Sequence, residues 1–288
     1  MNAPLPAKTL RTIRTPGRKP VAASLCFRRS RGKTHLSHQL APHPFHITRP
    51  FYMHGDPEGM ATLYLQSSAG GLYNDDDHSL AIRVENQAKA HVTSQASTIV
   101  HAGHNGETRL SVDLDVGTGG CLEFCPDPAI LFPTARLKSS VNARVGRDSV
   151  LMVCDAQLAH DPEERGSGFD YLDNEIRLSD TQGNAFFADR TYVTGENWIN
   201  ATGGYACAGT FLFCGSEQST AVSIALEACI AGFDPSSIYA GQTFDRHRSV
   251  ALVRLLAATG ADLTRALQTL WMTARVASTG ELPVHRKK

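Results

Sequence analysis

Residues 108–116 read TRLSVDLDV, and the alternation in that run constrains the chain more than any other feature. Leu110, Val112, Leu114 and Val116 fall on one side, with Arg109, Ser111, Asp113 and Asp115 on the other. A period of two belongs to a half-buried strand. Related runs recur at 60–66, 80–84, 90–93, 136–145, 150–156, 171–178 and 185–193. Glycines punctuate them (Gly70, Gly71, Gly103, Gly106, Gly117, Gly119, Gly120, Gly146, Gly183), as tight turns require. Roughly a dozen short strands in succession predict a mainly β body over 21–215, built as a sandwich, barrel or β-solenoid. No sequence repeat of fixed period selects among these three.

Beyond about 216 the pattern becomes helical. Residues 219–231 carry apolar side chains at helical spacing and end at Gly232. Residues 249–257 form an apolar run compatible with strand or helix. Residues 262–276 predict an amphipathic helix with Leu263, Leu267, Leu270, Trp271 and Ala274 as its stripe, and Arg265, Gln268 and Arg275 largely off it. Asp262 suits the first turn, and Gly280 and Pro283 stop the helix. The expectation is one domain over 21–288, with helices appended over 216–280.

Hydrophobic residues make up 42% and charged residues 19%, enough apolar material to fill a core in 288 residues. Ten Lys and Arg precede Asp56, the first acidic residue. That leaves 18 of the 28 basic residues against all 28 acidic ones in 56–288, a net of −10. Such a body repels nucleic-acid phosphate and favours a cation or a basic partner. Residues 1–20 are basic and proline-rich with no apolar run, which predicts a disordered leader rather than a secretory signal. No run is long and apolar enough for a membrane span. Seven scattered cysteines do not form a disulfide framework and suit reduced thiols in the cytoplasm.

Several constellations carry candidate chemistry. His35/His38, His43/His46 and His101/His104 are spaced by three, which on a strand puts the rings on opposite faces; exposed surface histidines account for them. Cys121 and Cys125 would share a strand face, but no second thiol pair completes a zinc site. Asp75-Asp76-Asp77-His78 is the densest set of oxygen ligands and equally a turn-favouring sequence. No G-x-S-x-G elbow and no G-x-x-x-x-G-K-[ST] phosphate loop is present, so a nucleotide hydrolase would have to be another protein.

An ordered series of short motifs resembles the urease accessory protein D family (UreD, also called UreH). Arg49-Pro50-Phe51-Tyr52, Leu63-Tyr64-Leu65 and Gly70-Gly71-Leu72 closing on Asp76 resemble the family's R-P-F, L-Y-L and P-G-G-L-x-x-G-D. Thr93 to Thr98 is similar to T-T-Q-A-A-T, and Leu122-Glu123 to Pro128 is similar to L-E-x-x-P-x-P. Asp155, Gly168-Phe169-Asp170-Tyr171, Asp189-Arg190 and Leu270-Trp271 through Arg275 follow in family order. Ser24 to Phe27 and Thr34 to Leu36 resemble its opening hairpin. The likeness spans 21–277. Asp75 stands where the family has Gly, and His160-Asp161 where it has G-R, with Glu163 or Glu164 only loosely matched to a family Glu.

The resemblance implies a β-helix-like body with C-terminal α-helices and no catalytic centre. It implies partnership with urease accessory proteins F and G and with apo-urease, protein G supplying the GTPase and this chain a platform and passage for transient Ni²⁺. No tightly bound cofactor is expected. Asp76, Thr93, Gln95, Glu123 and Asp155 are then the polar positions expected on the nickel route or partner surface, since oxygen ligands bind the ion weakly enough to release it. The apolar runs at 211–213 and 250–257 fit partner-facing surface. The alternative is a stand-alone carbohydrate hydrolase on a β-solenoid, with Asp113/Asp115 or Glu163/Glu164 as paired acids.

Overall fold

In the computed structural model, residues 20–103, 106–215 and 217–284 are described. Residues 1–19 of the predicted leader and His104 lie outside them. The chain enters on the strands β1 (Val21–Ser30), β2 (Lys33–Leu40) and β3 (Phe45–Ile47). It winds through β4 (Ala61–Ser67), β5 (Asp77–Val84), β6 (Lys89–Ser94), β7 (Thr98–Val100) and β8 (Thr108–Val116). It continues through β9 (Cys121–Cys125), β10 (Ala129–Leu131), β11 (Arg136–Val145), β12 (Val150–Ala159), β13 (Tyr171–Ser179) and β14 (Ala185–Thr194). There follow α1 (Gly195–Ala201), β15 (Cys207–Gly215), α2 (Ser219–Ala231), β16 (Ile238–Asp245), β17 (Val250–Ala257) and α3 (Gly260–Thr279).

The winding is solenoid-like. Successive long strands alternate between two sheets, one of seven strands (β14-β13-β11-β8-β5-β1-β2) and one of ten. Within each, the central neighbours run parallel: β5, β8, β11 and β13 in the first, β4, β6, β9 and β12 in the second. Thr62, His91, Glu123 and Met152 stack in register along the ten-stranded sheet. The coils between those positions differ in length, which explains why no fixed period shows in the sequence. A short third side, β7 and β10, carries Val100 and Leu131 beneath Leu72.

Alternation along each strand sends one apolar row inward. On β8, Val112, Leu114 and Val116 are buried while Arg109 and Asp113 face solvent, as the sequence predicts. Leu25, Ile82, Leu114 and Val141 of one sheet meet Leu63, Val92, Phe124 and Val153 of the other in the main core. The opposite face of the ten-stranded sheet packs Met152, Phe211, Phe213 and Val253 against Val222 and Leu226 of α2 and Leu263, Leu267, Leu270 and Trp271 of α3. The runs at 211–213 and 250–257 are therefore core strands, not partner-facing surface; Phe211, Phe213 and Val253 are fully buried. The run left open as strand or helix is β17, pairing between β15 and β16.

Helix α3 starts where Thr259 accepts a hydrogen bond from the Asp262 amide and ends at Gly280 in the left-handed conformation. Its predicted stripe is buried throughout. Arg275 is the exception to the expected pattern: it is fully buried, four residues beyond Trp271 on the same face, because acidic partners wait beneath it. α1 and β16 were not predicted; only Trp198 is buried in the first, and the second is an edge strand with Tyr239 exposed. Among the described residues no helix is long and apolar enough to cross a membrane.

Candidate functional site: an intersheet cavity beside a buried ion cluster

The two sheets part at the level of the Gly70-Gly71 turn to leave a cavity of about 340 Å³ that opens to the surface. Gly71 makes this turn possible. Its φ is +141°, and a Cβ there would lie 2.3 Å from the Ile99 carbonyl oxygen. Aliphatic side chains such as Leu80, Val112 and Leu137 form much of the wall, and oxygen-bearing side chains interrupt it.

Asp155 is the central polar group. The alternation that points Leu151 and Val153 into the main core carries Asp155 inward two residues later, opposite β13. Asn174 Nδ2 donates to its Oδ2, and Gln157 Nε2 donates to Oδ1 at 2.9 Å. Ser139 Oγ in turn donates to Asn174 Oδ1 at 2.6 Å. Burial pushes the Asp155 carboxyl up to about 6, the two amide hydrogen bonds opposing it and the like charge of Asp189 adding to it. Elsewhere on the wall, Ser94 Oγ donates to Asp127 Oδ2 at 3.1 Å, and Gln66 Nε2 donates to Gln95 Oε1, with His46 on the far side of Gln66. The oxygen groups are carboxylates, amides and hydroxyls, the donors that hold a divalent cation loosely, and His78 and Cys154 also line the cavity.

On the other face of the ten-stranded sheet lies a buried ion cluster centred on Glu123. His91 Nδ1 lies 2.7 Å from Glu123 Oε2, Trp271 Nε1 donates to the same oxygen at 2.7 Å, and Arg275 Nε donates to Oε1 at 2.8 Å. Arg275 Nη1 donates to Asp56 Oδ1 at 2.5 Å, and Thr62 Oγ1 donates to Asp56 Oδ2 at 2.8 Å. The guanidinium carbon sits 4.5 Å from the Trp271 ring centre. Burial alone would raise the Glu123 carboxyl. The charge of Arg275, with hydrogen bonds from His91 and Arg275, overrides it and holds Glu123 well below the ordinary carboxylate value. Two carboxylates and a guanidinium thereby tie α3 to the sheet and to the loop before β4.

Of the five expected site residues, Gln95 and Asp155 line the intersheet cavity. Thr93 lines a neighbouring cavity under α3 and donates to the Cys125 carbonyl at 2.6 Å. Glu123 lines neither cavity. Asp76 does not reach them either; it is buried in the turn before β5, where Oδ2 accepts from the Tyr73 amide at 2.8 Å. Asp56, Asp127, Asn174 and Arg275 were not singled out by sequence. Arg275 lies in a recognised motif, but nothing in the chain links it to Glu123, 152 residues away.

Other candidates resolve into local structure. Cys121 and Cys125 do share a face of β9, and burial pushes the Cys121 thiol up to about 12, an unreactive state. Asp113 accepts from Asn142, Asp115 is paired with Arg144, and Glu163 with Arg165, all near the surface. His38 meets Ser24 and His35 lies edge-on to Tyr52. Among the described residues no group of three or more His, Cys, Asp or Glu is placed to hold a metal ion.

Comparison with known proteins gives this geometry its context. The family model described as UreD urease accessory protein matches residues 20–287. The chain is similar to urease accessory protein UreD 1 of Methylorubrum populi, 33% identical over 99% of this chain and 96% of that protein. It is 34% identical to urease accessory protein UreD 1 of Methylorubrum extorquens over 93% of this chain and 92% of the relative. The urease accessory protein UreD of Natronomonas pharaonis is 28% identical over 90% and 88% respectively. A match running from the opening hairpin past α3, with relatives covered almost end to end, makes this chain a member of the UreD family of urease accessory proteins.

Proposed function

We propose that the chain is a urease maturation scaffold that acts with urease accessory proteins F and G to deliver nickel, at the expense of GTP, into apo-urease. Nickel is the cargo, and the GTPase is the partner's, since this sequence has no phosphate loop. The reading is supported by membership of the family and, within this chain, by one observation: a cavity between the sheets on which Ser94, Gln95, Asp127 and Asp155 present oxygen donors. A divalent ion in such a passage exchanges water for carboxylate, amide and hydroxyl oxygens without the tight grip of several thiolates. In this reading Gln95 and Asp155 meet the ion, Asp76 holds the turn beside the Gly70-Gly71 mouth, and Glu123 positions α3. Exposed Phe51, Tyr52, Tyr192 and Ile224 are available for partner contact.

The test uses a host carrying the urease subunits and all accessory proteins. Asp155→Ala should leave co-purification with proteins F and G intact while urease nickel content and activity fall at least about tenfold, the scale on which loss of a charged ligand acts. Full activation by both Asp155→Ala and Gln95→Ala would remove the cavity from the route. Failure of the wild-type chain to co-purify with F, G or apo-urease would remove the scaffold reading itself.

A further inference from the structure

We propose that Cys125 and Cys154 form a two-thiol site for a monovalent thiophilic cation of the copper(I) class, in the chamber between the ten-stranded sheet and α3. The parallel register that pairs Val153 with Phe124 sets Cys154 beside Cys125 at the next step. Alternation points both toward α3, on the face that also carries His91, Glu123 and Met152. Both thiols wall a cavity of about 210 Å³ together with Thr93, Gln268 and Trp271. Cys125 is half-buried and opens on this space, and Cys154 is buried behind it. The cross-strand neighbours of Cys121, Cys207 and Cys214 include no second cysteine, so this juxtaposition is particular.

Both cysteines are free thiols on neighbouring strands, which lie about 4.8 Å apart. Linear two-sulfur coordination suits soft monovalent ions and needs no third ligand. Burial and the neighbouring Cys154 thiol push the Cys125 thiol well above its ordinary value. Binding would displace one proton from each sulfur to solvent as two metal–sulfur bonds form, leaving a bis-thiolate complex of net charge −1. Of the nearby charges, Glu123 opposes that negative charge and Arg275 offsets part of the opposition. Gln268 Nε2, buried without a hydrogen-bond partner, offers an N–H to the sulfur that becomes a thiolate.

A path to the site exists. The chamber shares Pro128, Thr264 and Gln268 with an outer groove lined by exposed Ala261 and Arg265. It also shares Pro126, Asp127 and Cys154 with the intersheet cavity, so soft and hard donor sets lie on either side of one wall. The site does not depend on what the intersheet cavity carries.

The reduced full-length chain, titrated anaerobically against the copper(I)–bicinchoninate complex, tests this. The wild type should withdraw one equivalent, and the copper absorption edge of the product should report two sulfur neighbours. Cys125→Ser and Cys154→Ala should each weaken that equivalent at least 100-fold, while Cys26→Ser and Cys229→Ser leave it unchanged. Circular dichroism checks the fold; should buried Cys154→Ala unfold, Cys125→Ser at the strand end decides alone. A wild type that cannot compete for copper(I), a Cys125→Ser chain that binds as the wild type does, or a first shell without two sulfurs overturns the proposal.

Discussion

Arg275 donates to Glu123 through Nε at 2.8 Å and to Asp56 through Nη1 at 2.5 Å, joining three distant parts of the chain below the surface. The pair is not interchangeable with a surface ion pair, since both side chains are fully buried. Arg275→Met should destabilise the protein by about 3–5 kcal/mol, because Glu123 and Asp56 are left buried without their cation. Arg275→Lys should fall between, as a point charge cannot serve both carboxylates in the planar fork. Urea midpoints of the three proteins check the order.

Asp155 makes stability depend on pH in an unusual direction. Its folded value of about 6 lies above the ordinary 3.8, so the unfolded chain loses this proton first as pH rises. The contribution is fully present below 3.8 and is lost on passing upward through about 6. Asp155→Asn should therefore be more stable than wild type at pH 7 by about 1–2 kcal/mol, the difference closing below pH 4. Denaturant midpoints at several pH values measure it; a gap that widens in acid would contradict the assignment.

Gly71 and Gly183 both have positive φ but differ in surroundings. A Cβ at Gly183 meets nothing within 4 Å, whereas at Gly71 it runs into the Ile99 carbonyl. Gly183→Ala should cost about 1 kcal/mol from backbone strain alone, and Gly71→Ala at least 2–3 kcal/mol with distortion of the cavity mouth. Thermal midpoints of the two variants give the comparison.

Thr259 caps α3, its side chain accepting from the Asp262 amide at 3.1 Å. Thr259→Ala should remove about 1 kcal/mol. Hydrogen exchange should quicken in the first turn of α3 while the Arg275 end keeps its protection, since the ion cluster anchors that end independently.

The strands were legible because period-two alternation is a local property, fixed by which face each residue presents. The order of family motifs was legible as well, and the structure supplies reasons for it. Asp75, standing where the family has Gly, has φ +65°, a left-handed position that Gly adopts freely and Asp tolerates. Arg275 was misread as lying off the apolar stripe, since a charged residue is expected outside unless a partner is known. The short helix α1 and edge strand β16 bury too little to leave a pattern.

The amino-acid sequence by itself determined the mainly β body, the amphipathic α3 and the family, because hydrophobic period, turn glycines and motif order are written along one dimension. Only the tertiary structure decided that the winding is a solenoid and that Gln95 and Asp155 face one cavity. It alone brought Glu123 into an ion cluster and set Cys125 beside Cys154. Each of these depends on how coils of unequal length stack, and stacking brings together residues whose distance along the chain carries no information about their distance in space.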